Sequence, residues 1–169
     1  MANEKYDIEE ELRKWLKDAE RVVIVGIGNP IRMDDYVGVK IVQDLQSKVS
    51  DKVMLIEAET VPENHMQEII DFKPTHILLI DAATQGLRLG EMRLIAVEQL
   101  GSFIIFSTHM FPLRVFCEHI LSIVKAKIGL LLIEPEKTDF GETLTPRISG
   151  LAKRAAEILV AIFQMLFSL

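Results

Sequence analysis

The stretch Val22-Val23-Ile24-Val25-Gly26-Ile27-Gly28-Asn29-Pro30 decides how this chain folds. Its first four residues form an unbroken β-branched run, the pattern of a strand covered on both faces rather than on one. Gly26, Gly28 and Pro30 then end the strand in a tight turn, because glycine accepts backbone angles closed to other residues and proline cannot extend a ladder. Beyond the turn, residues 36–47 place Val37, Ile41, Val42 and Leu45 on one face of a helix. Asp34 or Asp35 stands where a carboxylate caps or charges a helix N-terminus, and capping is assigned to Asp34. Strand, loop and helix in that order are the repeating unit of an open α/β sheet.

The same alternation extends in both directions. Upstream, Ile8, Leu12, Trp15, Leu16 and Ala19 fall at helical spacing among Glu and Lys, which predicts an amphipathic helix over 8–19. Downstream, strands are expected at 53–58, 76–82, 92–97, 103–106 and 130–133. Helices are expected at 62–71, from near Pro112, and from about Thr145, and Gly86 and Gly90 separate the strands at 76–82 and 92–97. No repeat or linker interrupts the series. The expected fold is three-layer α/β, a mostly parallel twisted sheet with helices on both faces, in one domain over 1–169 whose residues 1–20 are a helical extension. A ligand crevice in such a sheet lies beyond the carboxyl ends of the strands.

Composition narrows the class. The chain has 169 residues, 49% of them apolar, enough to build a core without covalent staples. A formal net charge of −6 argues against nucleic acid as a partner, since phosphate binding depends on clustered Lys and Arg. Cys117 is the single cysteine, so no internal disulfide and no Cys-rich zinc site is available, which fits a reducing cytoplasm. Its neighbours Val115 and Phe116 make it a buried thiol rather than a nucleophile. The polar N-terminus offers no basic segment followed by an apolar one, so no secretory leader is expected. The last apolar run, 158–169, contains Gln164 and Ser168 and falls short of the roughly 20 residues that span a bilayer. It is apolar on nearly all sides, as a core helix or one that also docks a partner would be.

Three metal-ligating side chains follow buried strands: Asp35 after 22–25, Asp81 near the end of 77–80, and His109 after 103–106. All three can converge on the carboxyl edge of the sheet. Two carboxylates and an imidazole suit nickel, zinc or iron(II) and leave positions open for water or a substrate atom. Each also has a plainer role, Asp35 as a helix-terminal charge and His109 as a loop or capping residue. Asp81 resists that reading, because an acid closing Ile77-Leu78-Leu79-Ile80 is poorly solvated unless something binds it. His65, His76 and His119 fall within helices or open a strand and are read as structural. No Ser or Cys stands in a recognisable nucleophile pattern. Gly26-x-Gly28, with Glu57 on the next strand, partly imitates a dinucleotide-binding turn. Ile31 occupies the third glycine position, however, and two acids crowd the place where a pyrophosphate would bind. Gly28 and Gly38 are read as permitting close approach of the turn and of the helix. Asn29 either holds the loop or contacts a substrate peptide.

The run Gly26-Ile27-Gly28-Asn29-Pro30-Ile31-Arg32-Met33-Asp34-Asp35-Tyr36-Val37-Gly38 resembles the opening signature of the hydrogenase maturation endopeptidases, a G-x-G-N segment leading to paired acids and a glycine. Ile80-Asp81-Ala82 matches the family's strand-end acid, and Ser107-Thr108-His109 followed by Leu113 looks like its S-x-H-x-x-x-L segment. Ile133-Glu134-Pro135 and Leu144-Thr145-Pro146 are similar to its last strand, long loop and final helix, so the likeness covers about residues 22–165. The N-terminal helix departs from it, since these proteins commonly begin at the first strand. The resemblance implies removal of a C-terminal extension from a nickel-iron hydrogenase large-subunit precursor after nickel insertion. It also implies that Asp35, Asp81 and His109 contact the metal, which is nickel borne by the substrate or a resident ion. The catalytic type, aspartic or metal-dependent, stays open, as does which acid serves as base. A noncatalytic nickel-binding chaperone and a dinucleotide-binding enzyme are the alternatives.

Overall fold

The computed structural model describes residues 6–88, 90–102 and 109–168. Strand β1 (Val22–Ile27) has all six residues buried, as its β-branched run requires. Around it lie β2 (Val53–Glu59), β3 (His76–Ala82), β4 (Met92–Ala96) and β5 (Lys127–Ile133), in the sheet order β2-β1-β3-β5-β4. The pairings of β1 with β2 and β3, and of β3 with β5, are parallel, while β4 runs antiparallel along β5. A mostly parallel sheet between helical layers is therefore borne out.

Successive side chains of a strand point to opposite faces, so each apolar strand feeds two cores. On one face Val22, Ile24, Leu78, Ile80, Leu131 and Ile133 pack with α1 (Ile8–Leu16), α2 (Val37–Leu45) and α5 (Pro146–Phe167). On the other, Val23, Val25, Ile77, Leu79, Leu130 and Leu132 pack with α3 (Met66–Phe72) and α4 (Met110–Ile123). Each such side chain, fully buried, contributes about 1.5–3 kcal/mol, so double coverage rather than strand propensity holds the sheet together. Helix α1 begins at Asp7, whose carboxylate accepts the Glu9 and Glu10 N–H groups, and it buries Ile8, Leu12 and Leu16. Its Trp15 ring lies on Gly129, where a Cβ would come within 2.9 Å of it. The N-terminal extension thus packs into the same layer as α2 and α5.

Several expectations need correction. Asp34 does not cap α2. A 3-10 turn (Met33–Tyr36) precedes the helix, leaves both acids short of the cap position, and passes into α2 with no side-chain cap. The Asp34 carboxylate is taken instead by N–H groups of Glu136, Lys137 and Thr145. The helix read at 62–71 opens as a 3-10 turn (Pro62–His65) before α3, since Pro62 presets φ but donates no N–H. Helix α4 begins at Met110, ahead of Pro112, because the first turn of a helix needs no N–H there. The strand expected at 103–106 lies outside the described residues. No described helix is long and apolar enough to cross a membrane.

Candidate active site

The adjacency of β1 and β3 builds the site. Gly26 pairs with Ile80, so the turn that leaves β1 rises beside Asp81, the next residue of β3. Asp81 is fully buried there, and Asp35 arrives on the 3-10 turn at 5% exposure. His109, the residue before α4, enters from the other side of the sheet edge at 8% exposure.

Asp35, Asp81 and His109 each offer one ligand atom within 4.8 Å of the others. His109 Nδ1 lies 3.3 Å from Asp81 Oδ1, and His109 Nε2 lies 3.8 Å from Asp35 Oδ2. The Asn29 N–H donates to Asp35 Oδ2 at 3.0 Å, while Asn29 Oδ1 accepts the Ile31 N–H. Asn29 therefore holds the loop, by main chain and side chain together.

Two glycines make this closeness possible. A Cβ on Gly28 would stand 2.1 Å from the Asp35 carbonyl oxygen, and one on Gly38 would stand 2.0 Å from that of Ile80. Only a residue without a side chain lets the Asp35 turn lie on the strand exit and lets α2 lie on the end of β3. The same contact fills the space against Gly28 with the Asp35 main chain, where a dinucleotide pyrophosphate would need an open cradle.

The electrostatics follow from burial. Desolvation disfavours a charged imidazole at His109, but the Asp81 hydrogen bond and the charges of Asp81 and Asp35 outweigh it, and Arg32 opposes them. The net effect holds the His109 pKa above its ordinary value, so in the metal-free protein the ring keeps a proton more readily than a free imidazole does. A cation would replace that proton. Ligands sharing one ion at about 2.1 Å sit roughly 3–4 Å apart, and the ligand atoms of the cluster lie within 4.8 Å of one another. Its donor set of two carboxylates and an imidazole fits nickel, zinc or iron(II).

Among the described residues, the remaining histidines stand apart from the cluster. His76 is buried edge-on against Trp15 at the start of β3, with its ring nitrogen on Thr75 Oγ1, and burial holds its pKa below the usual value. His65 pairs with Glu68 at the surface. His119 sits on the exposed side of α4. Cys117 is buried, and that burial, with Glu118 and Glu98, pushes its thiol up to about 12, so it is no nucleophile. Sequence alone does not single out Glu134 as a site residue. It is buried just beyond β5 and accepts the Gln85 N–H at 2.7 Å, which fixes the segment that leaves β3 after Asp81. The available signal was an acid closing an apolar strand, the same one that marks Asp81.

Comparison with known proteins gives the cluster a context. A family model of hydrogenase maturation proteases, HycI, matches residues 39–162. The chain is 33% identical over 141 residues to a protein of Methanocaldococcus jannaschii named "Putative hydrogenase maturation protease MJ0631", covering 79% of this chain and 83% of that one. Hydrogenase 3 maturation protease of Escherichia coli K12 is 26% identical over 129 residues, covering 75% and 80%. In three dimensions, the crystal structure of the [NiFe] hydrogenase maturation protease HycI from Thermococcus kodakarensis KOD1 superposes with a TM-score of 0.83 at 30% identity, covering 91% of this chain and 99% of that one.

Proposed function

This chain belongs to the hydrogenase maturation protease family, and from that premise we propose that it removes the C-terminal extension of a nickel-iron hydrogenase large-subunit precursor once nickel has been inserted. The observation that carries this reading is the buried cluster of Asp35, Asp81 and His109 at the carboxyl edge of the sheet. No other group of three or more metal-ligating side chains this close occurs among the described residues. The cluster binds the nickel that the substrate carries, so the protease acts on metal-loaded precursor and passes over empty precursor. Nickel at this position supplies Lewis acidity to the scissile carbonyl and to an attacking water.

The protein's own groups do the rest. His109 must be neutral to act as a ligand, which makes docking easier as pH rises. Asp81 orients the imidazole through the Nδ1 contact. The Asn29 N–H fixes Asp35 Oδ2, the oxygen that faces His109 Nε2. A carboxylate of the pair not engaged by metal accepts the proton of the attacking water and returns it to the leaving amine.

Incubating the protein with nickel-loaded and nickel-free large-subunit precursor, and following loss of the extension by mass, tests the proposal. Cleavage of the loaded form alone is expected. Equal cleavage of both would remove nickel from the mechanism. Nickel binding with no cleavage of either would make the chain a chaperone on a protease scaffold.

A further inference from the structure

Asp34 is more deeply buried than its neighbour Asp35, at 0% exposure, yet it is no member of the cluster. Its oxygens face a segment more than a hundred residues away. Oδ2 accepts the N–H groups of Glu136 at 3.0 Å and Lys137 at 2.9 Å, and Oδ1 accepts the Thr145 N–H at 2.8 Å. The Thr145 hydroxyl lies 3.0 and 2.9 Å from the two oxygens. The Asp34 N–H donates in turn to the Lys137 carbonyl at 3.0 Å.

Around this knot the two segments are zipped together. The Met33 N–H donates to the Gly141 carbonyl, the Gly141 N–H donates to the Ile31 carbonyl, and Arg32 Nε donates to the Thr138 carbonyl at 3.1 Å. A Cβ on Gly141 would meet Met33 at 2.7 Å. Thr145 precedes α5 and makes no side-chain cap there, because its hydroxyl is turned to Asp34.

We propose that Asp34 is the positioning residue of the site. By clamping residues 136–145 onto the turn at 31–34, it fixes the next residue, Asp35, opposite Asp81 and His109. The inference rests on the reading of Asp35 as a working group of the protease. Residues 136–145 have no helix or strand of their own, and such a segment keeps one shape only when its main-chain donors are satisfied. Three N–H groups and a hydroxyl converging on one point call for a carboxylate, which only accepts. The amide of Asn would turn two donors toward them.

The test uses Asp34→Asn, Thr145→Val, which keeps shape and loses the hydroxyl, and Thr145→Ser, which restores it. Two readouts are taken on the full chain. Hydrogen exchange at the Asn29 N–H, the group bonded to Asp35, is expected to speed up about tenfold or more in Asp34→Asn and Thr145→Val, the loss of a hydrogen bond to a charged group. Amides of β1 and β3 stay protected, and Thr145→Ser matches the parent. With nickel-loaded precursor, kcat per folded molecule is expected to fall about tenfold in the first two variants, with KM within about twofold. Asn29 protection equal to the parent in both variants, or exchange raised evenly across β1 and β3, would overturn the proposal. If the parent cleaves no precursor, the protease reading fails, and the Asn29 exchange still decides whether Asp34 positions Asp35.

Discussion

Replacing Asp81 by Asn changes one buried charge and almost no volume, and its effects on stability and on catalysis should separate. Asp81 Oδ1 and His109 Nδ1 are 3.3 Å apart, and Asp35 Oδ2 is 3.8 Å from Nε2. In a medium of effective dielectric near 20, each contact is worth about 4–5 kcal/mol of attraction to an imidazolium, before desolvation takes back most of it. Burial alone would hold His109 neutral, and the two carboxylates are what raise its pKa. A group whose pKa is raised on folding contributes stability that is complete below its unfolded value, near 6.5, and is lost as pH climbs through the folded value. The metal-free parent therefore gains from the Asp81 contact at pH 6. Above the folded value the ring is neutral and that contribution is gone. Asp81→Asn should be less stable than the parent at pH 6, and the deficit should shrink at pH 8.5, read by urea unfolding of chelator-treated protein. Cleavage of nickel-loaded precursor should fall by about 10²–10⁴-fold at every pH, the range lost with a general acid–base or ligand group. A variant destabilised by the same amount at both pH values, and still cleaving at the parent rate, would refute both the pairing and the role.

Gly38→Ala drives a Cβ to 2.0 Å from the Ile80 carbonyl oxygen and 2.6 Å from that of Ile27. Overpacking against fixed main chain should cost about 1–3 kcal/mol or more and lower Tm by roughly 5 °C. Calorimetry showing an unchanged Tm would mean that α2 does not sit on the end of β3. Cys117, its thiol pushed up to about 12 by burial, should resist a thiol reagent at pH 8 in the native protein and react at once in denaturant. Fast native labelling would contradict the packing of α4.

Most of the fold was legible because parallel strands buried on both faces leave no polar residues to confuse the pattern. The runs at 22–27 and 76–82 are apolar nearly throughout, and the second was bounded to the residue. Asp81 was legible for the converse reason, an acid that such a run cannot tolerate without a partner. Helix starts were read less well. Apolar periodicity does not distinguish a 3-10 turn from the first turn of an α-helix, which is why Pro62–His65 merged into the helix at 62–71.

Asp34 shows where reading from neighbours stops. Capping is a contact between residues two or three apart, and an Asp just ahead of an apolar helix satisfies that rule perfectly well. What overrides it here is a set of donors from residues 136–145, whose main-chain N–H groups leave no trace in the identity of their side chains. Backbone donors are anonymous in sequence, so a carboxylate that collects them looks like any surface acid until the fold is closed. The adjacent pair Asp34 and Asp35 thus divides its work by geometry. In the 3-10 turn Asp34 faces residues 136–145, the next residue, Asp35, faces the sheet edge and the imidazole, and about 120° of rotation per residue separates them. An α-helical turn would rotate adjacent side chains by about 100°. The 3-10 turn ahead of α2 carries both buried acids and so is part of the site rather than an irregular start to the helix.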